Sequence, residues 1–380
     1  MGRMLPGAAR PVKPGPSCHA RPVTDAGRVV VARAPGRVNL IGDHTDYNDG
    51  VALPMAVDLA TEVELVEDAS GQLRLVTDVD PRPAVIPVRS AAPVRSAAES
   101  AAAIGRPMPG WARLAAAVVG QVAGATGGTA RVTSSVPVGA GLSSSAAFCV
   151  ALATAIGAPP TPVALARLGQ RAEAAVGAAV GLMDPLVVAG ARAGHAMLVD
   201  FATLDVEHVP LPDGVAVVVV HSGEARRVAD SPYGARRSEC AAAAALIGQP
   251  LGRATEADVS TLTDPVLRRR ARHVVTEGGR VRAMAATLRE GDSVAAGRLM
   301  VESHRSLSGD FDASTPTVDA LVDDLLRRPG VHGARMTGGG FGGCVVALTR
   351  PGAVDLATWP GRAWVVRPSA GVSRQVRRAG

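Results

Sequence analysis

The chain has 380 residues, of which 47% are hydrophobic and only 2% aromatic, so its core must be built mainly from Ala, Val and Leu. This length exceeds what one small core needs and predicts two or three domains. The net charge of +6 invites a nucleic-acid or membrane role, but the arginines are interspersed with acidic residues and base-stacking aromatics are scarce. We therefore expect neither a nucleic-acid nor a membrane partner, and the charge suits an anionic small substrate.

Lysine and cysteine usage exclude further classes. Lys13 is the single lysine, which rules out a Walker A loop, the strand lysine of protein kinases and a pyridoxal Schiff base. Any phosphate must therefore be held by backbone N–H groups, arginine or a metal ion. The four cysteines form no C-x-x-C pair, so they predict neither a zinc site nor a disulfide framework and favour a reducing compartment. With apolar runs too short to span a bilayer, we expect a cytoplasmic protein, and a monomer.

In the first half of the chain, strands and helices follow a Pro-, Gly- and Arg-rich tail over residues 1–27. Strands are predicted over residues 28–34, 56–66, 72–78 and 129–136, and over 194–200. Helices are predicted over residues 111–123, 143–156 and 162–176. Residues 81–110 are predicted to form a loop with a short helix.

The second half is predicted to be mostly helical. Helices are expected over residues 231–247, 265–288, 293–306 and 316–326, and strands over 215–220, 334–336 and 344–348. Because strands and helices do not alternate strictly, the pattern favours an α+β architecture over a doubly wound sheet. We place a boundary near residue 200, between an N-terminal domain over 28–200 and a C-terminal domain over 201–380.

A glycine- and serine-rich segment, residues 137–147 (PVGAGLSSSAA), joins a predicted strand to a predicted helix. Glycines let the backbone approach a ligand closely, and free N–H groups at a helix start attract anions. A glycine turn with ordinary serine caps is the alternative, but three consecutive serines exceed what one cap requires. Phosphate binding is predicted at Gly139, Ala140, Gly141, Leu142, Ser143, Ser144 and Ser145.

A dense polar cluster occupies residues 36–50 (GRVNLIGDHTDYNDG) and contains a cation, three carboxylates, an imidazole and two amides. Convergent polar groups of this kind suit a polyhydroxylated ligand, in which each hydroxyl needs a donor and an acceptor. A calcium-binding turn is the alternative, but Asp43, Asp46 and Asn48 lack the regular spacing and closing glutamate of an EF-hand. The cluster therefore favours a sugar site.

Three segments together resemble the GHMP small-molecule kinases, and among them the galactokinases. They are residues 35–48 (PGRVNLIGDHTDYN), residues 137–147 and residues 336–343 (MTGGGFGG). Weaker support comes from residues 181–184 (GLMD) and 231–237 (SPYGARR). The first segment is specific to galactokinases, whereas the other two mark the whole superfamily.

The resemblance implies a two-domain α+β GHMP kinase fold with the active site in the cleft between the domains. It also implies ATP-dependent phosphorylation of the anomeric hydroxyl of galactose, with ATP as co-substrate and Mg²⁺ as cofactor. Asp184 would be the catalytic carboxylate with Arg37 as its cationic neighbour, and Ser145 and Glu173 would approach Mg²⁺. Residues 338–343 would shape the cleft near the reacting phosphate. The implied sugar contacts are Asp43, His44, Asp46, Gly181 and Tyr233.

This sequence departs from the galactokinase pattern at three places. Asp43 stands where glutamate is usual, Pro185 follows the catalytic aspartate, and the stretch from Glu173 to Asp184 is about one residue short. Asp43 keeps open a kinase for another sugar, such as an amino sugar or one altered at C6. A non-catalytic sugar- and ATP-binding regulator is a further alternative, against which Asp184 and the serine run argue. Read alone, Asp184 is typical of a helix cap and Glu173 of a solvated helix residue.

Overall fold

The computed structural model describes residues 27–88, 109–178, 180–224 and 232–378. Most of the predicted N-terminal tail lies outside these ranges, as does the part of the predicted loop and short helix that falls within residues 89–108. The predicted start of the helix at residue 231 also falls outside them.

The first half of the chain contains eight strands and four helices among the described residues. The strands are β1 (Arg28–Asn39), β2 (Val51–Ala52), β3 (Pro54–Glu67), β4 (Gln72–Thr77), β5 (Ala84–Pro87), β6 (Gly128–Ser134), β7 (His195–Asp200) and β8 (Val206–Pro210). The helices are α1 (Gly110–Val119), α2 (Ser144–Ala155), α3 (Pro162–Ala175) and α4 (Met183–Gly190). A short 3₁₀ helix spans Asp46–Asn48.

The second half is dominated by helices, as predicted. The described helices are α5 (Tyr233–Ile247), α6 (Glu256–Ser260), α7 (Pro265–Arg289), α8 (Ser293–Gly309) and α9 (Pro316–Leu326), with a 3₁₀ turn at Leu251–Arg253. The strands are β9 (Ala216–His221), β10 (Val331–Thr337), β11 (Cys344–Thr349), β12 (Ala363–Val366) and β13 (Ser373–Arg378).

Local sequence explains where several of these helices begin. Helix α7 starts with Pro265 directly after Asp264, whose carboxylate accepts the backbone N–H groups of Val266 and Leu267. Helix α9 repeats this pattern with Pro316 after a capping Thr315. Proline suits the first helical position because its missing N–H would have no intrahelical partner there, and the capping side chains satisfy the free N–H groups that follow.

The described strands form three sheets. The six-stranded sheet has the order β13-β1-β3-β6-β4-β5 and is antiparallel except for the β4–β6 pair. A four-stranded sheet has the order β10-β11-β9-β12, and a three-stranded sheet joins β2, β7 and β8. The last strand, β13, returns from the end of the chain to pair with β1. Strands and helices are thus mixed without strict alternation, which confirms the α+β prediction.

The hydrophobic core consists largely of aliphatic side chains, as the low aromatic content predicts. One cluster packs β1, β3, β4 and β6 against helices α1 to α3. A second cluster lies between the halves of the chain and combines Val38, Leu53 and Met55 with Val219 and Met284. None of the described helices has both the length and the apolar character needed to cross a membrane.

Candidate active site

One open cleft collects nearly all of the residues that the sequence singled out. Three of the segments that form its walls are the polar loop (residues 42–50), the phosphate loop (residues 137–145) and the glycine turn (residues 338–343). The predicted residues that line it are Arg37, Asp43, His44, Asp46, Gly139, Gly141, Ser143, Ser144, Ser145, Glu173, Gly181, Asp184 and Tyr233. Val180, Met183, Gly338 and Gly339 also line it.

A charged pair lies at the centre of the cleft. The Arg37 guanidinium donates through Nε to Asp184 Oδ1 at 2.7 Å and through Nη2 to Oδ2 at 2.5 Å. Arg37 follows an irregularity in the β1–β3 pairing between Pro35 and Arg37, and such bulges re-aim the side chains next to them. Asp184 lies in the first turn of α4, where the helix dipole favours a carboxylate. The alternative reading of Asp184 as a helix cap is wrong, because Leu182 occupies the cap position.

The phosphate loop is tied directly to this pair. Arg37 Nη1 donates to the Gly141 carbonyl at 2.6 Å, and the Ser143 hydroxyl donates to Asp184 Oδ2 at 2.6 Å. Ser143 has the left-handed backbone conformation with φ 61°, and Gly139 and Gly141 have φ 74° and 77°. These conformations curl the loop so that helix α2 begins at Ser144 beside the cleft.

Two residues of the predicted phosphate-binding run turn their side chains away from the cleft. Ala140 and Leu142 are fully buried in the core cluster between the halves of the chain. The Ala140 carbonyl accepts a bond from the Cys344 thiol, and the Leu142 carbonyl accepts one from the Arg37 backbone N–H. Any role of these two residues in binding phosphate is therefore limited to their backbone N–H groups.

Ser145 and Glu173 form the next contact along the cleft, with the serine hydroxyl donating to Glu173 Oε1 at 2.5 Å. Glu173 is only 4% exposed, so its alternative reading as a solvated helix residue is wrong. Burial raises the pKa of Glu173 to about 7, an effect that the Ser145 hydrogen bond opposes. Its Oε2 is buried and makes no hydrogen bond to the described residues, and a buried atom of this kind is usually satisfied by a partner such as water or an ion.

The described residues contain no cluster of three or more His, Cys, Asp or Glu side chains arranged to hold a metal ion. Mg²⁺ is usually bound through one or two carboxylates together with substrate phosphates and water, rather than by a full protein cage. One buried carboxylate with an unpaired oxygen beside a hydroxyl fits that pattern, so Glu173 and Ser145 suit a magnesium ion shared with phosphate.

The polar loop brings His44 and Asp46 to the other side of the charged pair. His44 has a left-handed backbone with φ 64°, and its Nδ1 lies 2.8 Å from the Tyr47 hydroxyl. The His44 ring also lies against Tyr233 and Phe311, with ring centroids 5.4 and 4.4 Å away. Phe311 is a contact that the sequence did not predict.

Gly181 leaves the space that the Asp46 carboxylate occupies. A Cβ atom at position 181 would lie 1.5 Å from Asp46 Oδ2, so any larger residue there would displace the Asp46 carboxylate. Burial and the nearby charge of Asp184 raise the pKa of Asp46 to about 6. Asp184 is therefore close enough to influence the ionisation of Asp46.

Asp43 is held by residues that sequence reasoning missed. Its Oδ2 lies 2.6 Å from Arg335 Nη2, and its Oδ1 accepts the Gly338 backbone N–H at 3.0 Å. Burial raises the pKa of Asp43, and the Arg335 guanidinium opposes that effect. One signal was available in the sequence: Arg335 is the only charged residue of a predicted apolar strand, and a cation buried there requires an anionic partner.

Comparison with known protein families identifies three matching regions. The galactokinase galactose-binding signature matches residues 22–65, the N-terminal domain of the GHMP kinases matches residues 111–191, and the C-terminal domain of the same kinases matches residues 284–358. Human galactokinase is 41% identical over 336 residues, which covers 85% of this chain and 84% of the human protein.

Solved structures share the fold. The galactokinase of Lactococcus lactis, crystallised with galactose, superimposes with a TM-score of 0.79 at 23% identity and covers 91% of this chain and 95% of its own. The mevalonate kinase of Methanococcus jannaschii gives a TM-score of 0.64 at 16% identity, over 89% of this chain and 98% of its own. The GHMP kinase fold expected from the sequence is thereby confirmed.

Proposed function

This chain belongs to the galactokinase family of the GHMP kinases, and from that membership we propose that it transfers the terminal phosphoryl group of ATP to the anomeric hydroxyl of galactose. The products are galactose 1-phosphate and ADP. One observation carries the proposal: the Arg37–Asp184 pair shares a single cleft with both the polar loop and the phosphate loop. A sugar on one side and a nucleotide on the other would meet at this pair.

Asp184 takes the role of proton acceptor in the proposed reaction. The anomeric oxygen attacks the terminal phosphorus, the bond from that phosphorus to the bridging oxygen breaks, ADP departs, and the hydroxyl proton passes to Asp184. The two bonds from Arg37 and the one from Ser143 fix the orientation of the carboxylate before the sugar arrives. A positioned general base of this kind contributes about 10²–10⁴-fold to a rate.

The phosphate loop holds the nucleotide without a lysine. Residues 139–145 supply backbone N–H groups, and the start of helix α2 adds the positive end of its dipole. Phosphoryl transfer passes through a loose transition state, in which positioning and charge neutralisation supply most of the catalysis. Arg37, the cation that pairs with Asp184, would stabilise the transferring phosphoryl group.

Ser145 and Glu173 are the residues that would hold Mg²⁺ together with the phosphates of ATP. When bound there, the ion neutralises charge that develops on the phosphate oxygens. The unpaired Oε2 of buried Glu173 supports this assignment. The sugar contacts that we propose on the opposite side are Asp43, His44, Asp46, Gly181 and Tyr233.

The reaction is tested by measuring ADP release with a panel of sugars: galactose, galactosamine, 6-deoxygalactose and glucose. Galactose should give the highest kcat/KM. ADP release with an amino sugar or a C6-altered sugar but none with galactose would instead support a kinase for a related sugar, which Asp43 keeps open. Binding of galactose and ATP without any ADP release would support the regulator.

The role of Asp184 is tested with Asp184→Asn, which keeps the size of the side chain and removes its basicity. We expect turnover to fall by about 10²–10⁴-fold, while the equilibrium affinity for galactose, measured by calorimetry, stays within a few-fold of wild type. Asp205→Asn is the matched control, because Asp205 is exposed and its side chain bonds only Thr203 among the described residues. Full turnover by Asp184→Asn with normal sugar affinity would refute the catalytic role.

A further inference from the structure

A buried group of charges lies beside the polar loop, and two of its members, Arg335 and Glu277, are not among the residues that the proposed reaction uses. Arg335 of strand β10 and Glu277 of helix α7 are both 0% exposed, and Asp43 is 2% exposed. Removing charges from water is costly, and replacing a buried ion pair with well-packed apolar side chains is often neutral or stabilising. Stability alone is therefore a weak reason for placing these three charges here.

Arg335 contacts the side chain of Asp43 and the backbone of residues 39–40, which precede the polar loop. Its Nη2 lies 2.6 Å from Asp43 Oδ2. Its Nη1 donates to the Leu40 carbonyl at 3.2 Å, with the Asn39 carbonyl at 3.4 Å. A planar guanidinium can bond several oxygens in a fixed geometry, which the point charge of lysine cannot reproduce. Arg335 therefore fixes where the Asp43 carboxylate lies relative to its own backbone.

Glu277 anchors the same segment from the opposite side. Its Oε1 accepts the Gly42 backbone N–H at 3.0 Å and lies 4.0 Å from Arg335 Nη2. Its Oε2 accepts from Arg280 Nε at 2.8 Å. Burial acts to raise the pKa of Glu277, but its interactions with His273, Arg335 and Arg280 outweigh that effect and leave the pKa below its ordinary value. The glutamate thus stays charged and balances the buried arginine.

Asp43 is the member of this group that reaches the cleft. Besides pairing with Arg335, it accepts the Gly338 N–H at 3.0 Å, so it also joins the polar loop to the glycine turn. A carboxylate has about four acceptor positions, and these two contacts leave acceptor capacity for a sugar hydroxyl. Asp43 lines the cleft wall, where that hydroxyl would lie.

We propose that Arg335 is a positioning residue that acts through Asp43: it fixes the carboxylate as an acceptor for one sugar hydroxyl and so sets how strictly the enzyme discriminates between sugars. This inference rests on the proposed function. Arg335 itself touches neither the sugar nor the nucleotide in this scheme, and its effect on the reaction passes through the position of Asp43.

A double-mutant cycle tests the proposal with Arg335→Met, Asp43→Ala and the two combined. Each single change should raise KM for galactose by about tenfold, whereas kcat and the KM for ATP should change by less than about twofold. In the double variant, KM for galactose should exceed that of Asp43→Ala by less than about twofold. Among monodeoxygalactoses, one lacks the hydroxyl that Asp43 would bind. Both single changes should reduce the preference for galactose over that one analogue. Arg335→Lys, which keeps the charge, should recover part of the loss.

Arg305→Met is the matched control, because Arg305 is an exposed arginine on helix α8. If Arg335→Met does not fold, as judged by circular dichroism, Asp43→Asn combined with Arg335→Gln answers the same question, since it removes both charges of that pair while Glu277 keeps its bond from Arg280. That pair should fold, raise KM for galactose and flatten the preference among the analogues.

Additive effects of Arg335→Met and Asp43→Ala on KM would overturn the proposal, as would a loss of kcat that is equal for every sugar. An unchanged KM in the charge-free pair would overturn it as well. The wild-type enzyme separates this test from that of the proposed function. Wild type that releases no ADP with any sugar refutes the reaction, whereas active wild type with additive variants refutes only the role of Arg335.

Discussion

Asp46 lies half-buried near the charge of Asp184, and its ionisation depends on that position. Burial, followed by the charge of Asp184, raises the pKa of Asp46 from 3.8 to about 6. As a carboxylate, Asp46 would accept a hydrogen bond from a sugar hydroxyl, and protonation removes part of that capacity. We predict that KM for galactose rises as the pH falls through 6 and levels off where Asp46 is fully protonated. Steady-state kinetics between pH 5 and 8 measure this.

Asp46→Asn serves as the control for this titration, since its KM should be higher than that of wild type and should not vary in this pH range.

The effect of pH on folding stability has the opposite direction to its effect on binding. Because the pKa is higher in the folded chain, the contribution of Asp46 to stability is fully present below pH 3.8 and is lost as the pH rises through 6. Asp46→Asn should therefore melt at a higher temperature than ligand-free wild type at pH 7.5. An equal melting temperature would argue against the raised pKa.

The roles of Arg37 and Asp184 could be predicted from the sequence, whereas those of the residues that support the polar loop could not. Arg37 and Asp184 lie in short segments of distinctive composition, so their residue types predict their roles without knowledge of the fold. Arg335 contacts Asp43 and Glu277 contacts Gly42, and each of these pairs is separated by more than 230 positions in the chain. A contact of that kind depends on how β10 and α7 pack, and local sequence pattern contains no information about it.

Ser143, the residue before helix α2, combines a left-handed backbone conformation with a hydrogen bond to Asp184. Ser143 has φ 61° and ψ 43° immediately before the helix, a conformation that costs a residue with a side chain about 1–2 kcal/mol. The same residue donates its hydroxyl to Asp184 at 2.6 Å. The serine therefore retains an unfavourable backbone in order to connect the phosphate loop with the central carboxylate.

Two substitutions of Ser143 separate the backbone effect from the hydrogen bond. Ser143→Ala and Ser143→Gly both remove the bond to Asp184, so both should lower kcat by about tenfold. Only glycine relieves the left-handed strain, so Ser143→Gly should be more stable than Ser143→Ala by about 1 kcal/mol. Chemical denaturation and initial rates measure the two quantities. Equal stabilities, or full kcat in either variant, would contradict this account.

Element positions were predicted best where hydrophobic periodicity is strong and least where it is absent. Helix α9 was predicted at residues 316–326 and is observed at Pro316–Leu326. Strand β1 was predicted to end at residue 34 but continues to Asn39, because the irregularity near Gly36 carries the pairing with β3 past the proline and glycine. Strand β13 was missed because all six of its residues are exposed, so neither face produces an alternating pattern.

The two halves of the chain, on either side of residue 200, share a hydrophobic core cluster and a sheet. The core cluster between the halves includes Val38 and Leu53 on one side and Val219 and Val346 on the other. The last strand, β13, completes the six-stranded sheet by pairing with β1, so the N-terminal sheet depends on the C-terminal end of the chain. The predicted domains share a core and a strand, and contacts between such distant segments could not be read from the sequence.

We therefore predict that the fragments 1–200 and 201–380 do not fold when each is produced alone. Burying apolar surface in the shared cluster stabilises by roughly 25 cal/mol per Å², and either fragment would leave its side of that cluster exposed to water. The intact chain should instead unfold in one cooperative calorimetric transition. Mixing the two fragments from denaturant, with galactose and ATP present, should recover part of the activity because the ligands bind only the assembled cleft. A native-like melting transition in either isolated fragment would show that the boundary separates independently stable domains.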